Sequence, residues 1–183
     1  MEKKFELTDN FIINQLGVKL FQIRCTRKIR YANVGDLGGY VEKEENLSQD
    51  SNAWVSGNAC VYGNAWVSDD AKVYGNAWVS GDAKVSGNAK VSGNAWVSGN
   101  AKVSGNAKVK NNNNHCGFDC FGSANRHTHA YLTKGGTVEI TCGCFRGSIE
   151  QFEKQVERTH GDSKYGREYK AIIEVIKIKF GLQ

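Results

Sequence analysis

The sequence contains no proline, and it contains no run of about 18 apolar residues. The second absence excludes a membrane-spanning helix, which needs a hydrophobic stretch of that length. Because proline is the residue that lacks a backbone N–H, its absence leaves every residue able to donate to a β-ladder. The first ten residues lack the apolar segment of a signal peptide, so we expect a cytoplasmic protein whose six cysteines are thiols.

Concentrated charge is also missing. The formal net charge is +5, but the basic residues form no tail or block along the chain. Sequence-specific binding to nucleic acid usually relies on a concentrated basic patch, so we do not expect it here. The mild excess of positive charge permits a small anionic ligand as a partner.

A six-residue phrase, Asn/Asp-Ala-x-Val-x-Gly, fills residues 52–111 in ten consecutive copies. Its alanine and valine are two residues apart, so in a strand both point to the same side. Glycine and Asn/Asp tolerate the positive φ of a corner. A short strand and a corner every six residues predict a mainly β fold, a parallel β-helix with three walls and 18 residues per lap. Narrow triangular prisms of this kind are usually left-handed, and we expect that hand.

The repeat divides the chain into three parts. Residues 1–51 are predicted to form an N-terminal β cap, in which Val41, Leu47 and Ala53 continue the six-residue spacing. Residues 52–111 form the β-helix, and a polar linker leads to a C-terminal α+β unit at 115–183.

The C-terminal unit is predicted to contain a hairpin and two helices. Strands at 128–133 and 137–142 flank a Lys-Gly-Gly turn, and residues 143–147 form a loop. Ser148 and Gln151 match a capping box, which begins a helix that ends near His160. Ser163 begins a second helix, whose apolar residues recur at helical spacing and are predicted to be core. These are Tyr165, Tyr169, Ile172, Ile173, Ile176 and Phe180.

The residue between each alanine and valine points outward, and positions 18 apart share a wall. The first wall would carry Cys60, Trp78 and Trp96, with Tyr62 beside them. The second would carry Trp54, Lys72, Lys90 and Lys108, and the third Trp66, Lys84 and Lys102. An exposed apolar stripe is unusual in a monomer, so we expect a second copy to cover the first wall, in a homotrimer. The alternative is that the C-terminal unit covers it. We expect the lysine rows to be solvated rather than a track for a polyanion.

Several phrases outside the repeat are more specific. The segments 35–42 (GDLGGYVE), 45–48 (ENLS), 143–148 (GCFRGS) and 159–162 (THGD), together with the hexads, resemble hexapeptide-repeat proteins of phages and prophages. The resemblance covers nearly the whole chain. Since members are mostly uncharacterised, it implies a left-handed β-helix and a phage setting, in the cytoplasm of an infected bacterium, rather than a reaction.

Catalysis and metal binding are both weighed against this pattern. Acyltransferases and carbonic anhydrases on similar prisms need histidines, yet residues 52–114 contain no histidine and no glutamate. We therefore expect no catalytic residue, and an acyltransferase using His127 or His129 stays an alternative. Zinc could use the imidazoles and thiols of the C-terminal unit, but their spacings lack a Cys-x2-Cys pair, so no metal and no cofactor are expected. These candidates are His115, Cys116, Cys120, His127, His129, Cys142 and Cys144.

An anion site is the strongest functional candidate. The predicted helix start at Ser148 offers backbone N–H groups, with Arg146 just ahead, and the hairpin adds cationic and aromatic side chains. The predicted ligand-binding set is Arg126, His127, His129, Tyr131, Lys134, Arg146 and Ser148. The alternative is that Ser148 only caps its helix and the other residues are polar surface. We expect a non-catalytic, oligomeric anti-defence protein that sequesters a nucleotide-like host signal. The alternative function is a structural or protein-binding phage accessory module.

Overall fold

The chain begins with a three-stranded cap that continues one wall of the repeat. The computed structural model describes residues 3–182. The cap strands run antiparallel to one another and are β1 (Phe5–Ile13), β2 (Lys19–Cys25) and β3 (Leu37–Val41). Val41 of β3 then pairs in parallel with Val61 of the repeat. The cap sheet and the first wall are therefore one six-stranded sheet.

The repeat folds as ten strands of two residues each. They are β4 (Trp54–Val55), β5 (Cys60–Val61), β6 (Trp66–Val67), β7 (Lys72–Val73), β8 (Trp78–Val79), β9 (Lys84–Val85), β10 (Lys90–Val91), β11 (Trp96–Val97), β12 (Lys102–Val103) and β13 (Lys108–Val109). Strands 18 residues apart pair in parallel, which stacks β5-β8-β11, β4-β7-β10-β13 and β6-β9-β12 as three walls. The predicted lap length and the parallel β-helix are confirmed.

Alanine and valine fill the interior of the solenoid. Every alanine and valine at the inward positions of the repeat is at most 2% exposed. Burying one valine contributes about 1.5–3 kcal/mol, so the stack of laps supplies most of the core. The corners need glycine: Gly81 has a φ of 66°, and a Cβ on it would lie 2.9 Å from the backbone nitrogen of Gly99 one lap on.

The first lap is irregular. Val41 and Leu47 do occupy inward positions, because Leu47 forms a parallel bridge with Val67. The sequence predicts that Ala53 takes the inward position that follows Leu47 in this spacing. That prediction is wrong, because Val55 takes the position that pairs with Val73, and Ala53 is the inward alanine two residues before it. The step from Leu47 to Val55 is longer than a hexad, and Ser51 adopts a φ of 64° within it.

Side chains of the cap satisfy backbone carbonyls at the first open end of the solenoid. The buried Nζ of Lys4 donates to the carbonyl oxygen of Ala53 at 2.8 Å. The amide of Asn46 donates to the carbonyl oxygens of Gly63 and Ala65 at 3.0 and 2.9 Å. Burial lowers the pKa of Lys4 to about 8. These contacts replace the ladder bonds that a preceding lap would have made.

The C-terminal unit is a four-stranded antiparallel sheet backed by two helices. Its elements are β14 (His115–Phe121), β15 (Arg126–Leu132), β16 (Val138–Cys142), β17 (Phe145–Ser148), α1 (Ile149–His160) and α2 (Lys164–Phe180). The hairpin and both helices are where the sequence predicts them, with Ser148 and Ser163 as N-caps. Of the expected core positions of α2, Tyr165 is 38% exposed and the others are buried or partly buried. No helix within residues 3–182 is both long and apolar enough to cross a membrane.

Two parts of this unit differ from the prediction. The segment 143–147 was expected to be a loop, but from Phe145 onward it pairs with β16, and only Gly143 and Cys144 form the turn. The polar stretch after the repeat contains a 3-10 helix at Asn112–Asn114, and the strand β14 that follows was not predicted. Its pattern of His, Cys, Gly, Phe and Asp has no clear alternation of polar and apolar residues.

Candidate functional site

The C-terminal sheet presents a different chemistry on each of its faces. Ala130 of β15 packs in the cluster formed with the two helices. Tyr131, its neighbour, is fully buried in the core of the solenoid. Because side chains alternate along a strand, His127 and His129 share the face of Tyr131. The sheet therefore covers the second open end of the solenoid with histidines.

His115, His127 and His129 form a histidine cluster, and its hydrogen bonds indicate which ring nitrogens carry protons. Nδ1 of His129 lies 3.2 Å from the carbonyl oxygen of Lys102, which can only accept, so Nδ1 is protonated. Nε2 of His129 then accepts from Nδ1 of His115 at 3.0 Å. Nδ1 of His127 donates to the carboxylate of Asp119 at 2.6 Å. In His115, whose lowered pKa keeps it neutral, the remaining nitrogen, Nε2, is left as a lone-pair acceptor.

His115 and His129 are neutral near pH 7. Burial is the main cause that lowers the pKa of His115 to about 4 and the pKa of His129 to about 3. The nearby charge of Lys179 lowers the pKa of His115 further. The hydrogen bond from His127 lowers the pKa of Asp119.

The histidine cluster joins two parts of the fold; His129 is buried, and His115 and His127 are partly buried. A cavity of about 190 Å³ with Trp96 on its rim lies beside it. The Nε2 atoms of His115 and His127 are buried without a partner, and Gly117 lies directly against the ring of His127. Within residues 3–182, no three His, Cys, Asp or Glu side chains converge on a position that would hold a metal ion. The observed bonds of His129 satisfy a solenoid carbonyl, which is a structural role.

Of the other predicted ligand residues, Tyr131 lies beside His129, with ring centres 5.9 Å apart, but its hydroxyl is used elsewhere. Nε of Arg146 donates to the carboxylate of Glu139 at 3.0 Å, and the same carboxylate accepts from the hydroxyl of Tyr131 at 3.2 Å. The Tyr131 hydroxyl also lies 3.3 Å from the hydroxyl of Ser104. Arg146 is therefore already paired, and Tyr131 is a buried link to the solenoid.

The start of α1 satisfies its own backbone groups. The Ser148 hydroxyl accepts from the backbone N–H of Gln151 at 3.3 Å and donates to the carboxylate of Glu150. The side chain of Gln151 accepts from the backbone N–H of Ser148 at 2.8 Å. Arg126 packs over Gly143 on another edge of the sheet. The structure does not bring the seven predicted residues into one site.

Lys134 belongs to a different feature, a groove along the wall built from β4, β7, β10 and β13. This lysine groove has a volume of about 360 Å³. Lys90 and Lys108 lie in register on adjacent laps, and the groove brings them together with residues from the cap and the hairpin. Its polar and aromatic lining includes Arg30, Tyr31, Asn88, Lys90, Lys108 and Lys134.

The cations of the lysine groove have no acidic counterpart in its lining. Among the ion pairs of residues 3–182, none involves Arg30, Lys90, Lys108 or Lys134. The 18-residue lap predicts the row of lysines along this wall. It does not predict that Arg30 and Tyr31 of the cap line the same groove. The chain from β2 to β3 carries no repeat signal that relates it to a wall.

The tryptophan-bearing wall is only partly covered. Cys60 and Tyr62 are 2% and 6% exposed because Leu20 of the cap packs against them. The β1–β2 hairpin of the cap covers the end of the wall that carries Cys60 and Tyr62. The C-terminal unit, which the alternative prediction names as the cover, does not lie there. The rings of Trp78 and Trp96 contact each other in a tilted arrangement, with centres 6.2 Å apart and planes at 60°, and Trp96 stays 51% exposed.

The repeat matches one known family. Residues 53–69 and 83–99 match the family described as YdcK beta solenoid repeat. No curated protein matches the chain. Together with the three parallel walls, the match supports a repeat β-solenoid protein.

Proposed function

We propose that this protein binds and sequesters a small anionic, nucleotide-like ligand without transforming it, and that the ligand occupies the lysine groove. The observation that carries the proposal is the convergence of four cations on a groove with no acidic side chain in its described lining. Those cations are Arg30, Lys90, Lys108 and Lys134. They come from the cap, two laps of the repeat and the C-terminal hairpin.

Stacked lysines favour an anionic occupant. Lys90 and Lys108 are paired directly across adjacent strands, which lie about 4.8 Å apart. Two unit charges at that distance in water repel by about 1 kcal/mol. An anion between them replaces this repulsion with attraction and with charge-assisted hydrogen bonds. The ring of Tyr31 adds a surface against which a flat group can stack.

The assembly and the setting belong to the same proposal. The half-exposed Trp96, beside Trp78, gives an apolar surface that a second copy can bury, and we propose a homotrimer assembled on this wall. The resemblance to phage hexapeptide-repeat proteins motivates a role in the cytoplasm of an infected bacterium. There the protein would remove a nucleotide-like signal of the host's defence.

Calorimetry with purified full-length protein tests the binding step. We expect inorganic pyrophosphate and nucleotides to bind, and Lys90→Glu or Lys108→Glu to abolish the heat. Lys84→Glu makes the same charge change on the neighbouring wall and serves as the matched control. If neither pyrophosphate nor any nucleotide binds the unaltered protein, the proposal is wrong.

A protein-binding module is the second candidate function. The turn of the β1–β2 hairpin exposes Ile13 by 65% and Leu16 by 71%, which offers an apolar contact outside the groove. Capture of one host protein by the unaltered chain, lost on Ile13→Ser/Leu16→Ser and retained on Lys108→Glu, would favour this candidate. Small-molecule extraction of the protein purified from its host distinguishes the two, because only sequestration predicts a carried-over nucleotide.

A further inference from the structure

The lysine groove has a defined length along the solenoid axis. At one end the hydroxyl of Tyr31 donates to the carbonyl oxygen of Asp70 at 3.2 Å. At the other end the backbone N–H of Lys134 donates to the carbonyl oxygen of Asn106 at 2.8 Å. Asp70 and Asn106 occupy the same corner two laps apart, so the two ends are separated by about 10 Å.

The two ends differ in chemistry. The first end has the phenol ring of Tyr31, with the guanidinium of Arg30 5.9 Å from the ring centre. The amide of Asn88 lies between the ends and can donate and accept hydrogen bonds. Lys108 and Lys134 lie at the second end, and Lys90 lies one lap before Lys108. The Nζ of Lys72 also lies 5.2 Å from the centre of the Tyr31 ring, so both ends carry positive charge and only the first end has an aromatic ring in the groove lining.

Charge and length together select a class of nucleotide. A phosphate monoester carries about −1.5 to −2 at neutral pH, so a nucleoside monophosphate neutralises at most half of the four groove cations. Each further phosphate in a chain adds about one negative charge. Each further phosphate also lengthens the molecule, so a nucleoside with two or three phosphates reaches further from the Tyr31 end toward the Lys134 end than a monophosphate does.

Building on the proposed function, we infer that the groove binds a nucleoside di- or triphosphate in one orientation. The base lies against Tyr31, and the phosphate chain runs past Lys90 and Lys108 toward Lys134. A cyclic mononucleotide, which has a single negative charge, is the class that this arrangement disfavours. The hairpin residue Lys134 thereby becomes the specificity residue for the terminal phosphate.

A phosphate-number series tests the orientation at the phosphate end. With AMP, ADP and ATP titrated at one ionic strength, we expect affinity to rise at least about tenfold from AMP to ATP. Lys134→Ala should lower the affinity for ATP by about tenfold and leave AMP within about twofold, because AMP does not reach that end. The side chain of Lys134 is exposed, so this variant keeps the fold. Lys84→Ala, with the same loss of charge on another wall, should change neither affinity.

The aromatic end is tested separately. Tyr31→Leu should reduce ATP binding to the level of inorganic tripolyphosphate, while pyrophosphate binding is retained and confirms that the variant is folded. Equal affinities for AMP and ATP, or no effect of Tyr31→Leu on ATP, would overturn this inference while leaving the proposed function in place. An equal effect of Lys84→Ala and Lys134→Ala would also overturn it. Absence of binding by every anion, pyrophosphate included, would instead refute the proposed function.

Discussion

Low pH should weaken the packing of the C-terminal sheet on the last lap of the solenoid. This contact, the joint, is formed by His115, His129 and the backbone of Lys102. The pKa values of the buried His115 and His129 are about 4 and about 3. In the unfolded chain a histidine has a pKa of about 6.5. At pH values between about 4 and about 6.5, protons therefore bind to these histidines mainly in the unfolded chain. Stability from the joint is complete above about pH 6.5 and is lost as the pH falls toward 4.

The size of the effect follows from the two pKa values. At pH 5 an unfolded histidine is almost fully protonated while the buried one is almost neutral, which costs about 2 kcal/mol for each residue. For His115 and His129 together the loss is about 4 kcal/mol. The charged and titratable groups that face them are Lys179, which opposes protonation, and Asp119 and His127. In a chain of this size the melting temperature should fall by about 8–16 °C.

Urea unfolding at pH 7.5 and pH 5.0 measures this loss. The variant His115→Asn/His129→Asn keeps an amide donor where each Nδ1–H lies but does not titrate, so its stability should change much less with pH. His160→Gln removes a histidine outside the joint and should keep the wild-type pH dependence. A wild-type loss below about 1 kcal/mol, or an equal loss in the double variant, would refute the reasoning.

Three further predictions concern the repeat. Gly81→Ala should destabilise the protein by more than about 1 kcal/mol, because of its positive φ and the close backbone one lap on. Gly135→Ala, at an open position, should be nearly neutral in the same thermal unfolding assay. Trp96→Lys should reduce the mass measured by light scattering, whereas Trp66→Lys, which changes an exposed tryptophan on another wall, should not; an unchanged mass in both would count against the trimer. Duplicating residues 76–93 adds one lap and about 4.8 Å to the lysine groove, so calorimetry should show weaker ATP binding with pyrophosphate binding retained. An unchanged ATP affinity would contradict the proposed placement between Tyr31 and Lys134.

The walls of the solenoid could be predicted from the sequence because one physical rule sets them. Side chains alternate along each short strand, and a lap of constant length places every eighteenth residue on the same wall. The pairing of Cys60 with Trp78, and of Lys90 with Lys108, follows from those two facts alone. The helix start at Ser148 was equally predictable, since a capping box is a local pattern.

The candidate site could not be predicted in the same way. The lysine groove needs Arg30 and Tyr31 from the cap, and their approach to the wall depends on contacts of the first, irregular lap. The predicted anion site failed to assemble for a local reason. Glu150 and Gln151, two and three residues after Ser148, use the hydrogen-bonding groups of Ser148 that an anion would have needed. Capping and anion binding compete for the same groups, and here the observed contacts belong to capping.

The number of laps connects the regular part of the chain to its proposed specificity. From β7 onward each lap adds about 4.8 Å and one lysine to the wall, while Tyr31 and Lys134 come from parts that attach at fixed places on the stack. The repeat thus sets the distance between the aromatic and cationic ends, and the two non-repetitive parts supply the chemistry at each end. A solenoid of this design with one lap fewer would place the same ends closer together and would suit a shorter phosphate chain. Ligand length would then depend on the lap count, and ligand type on the cap and hairpin.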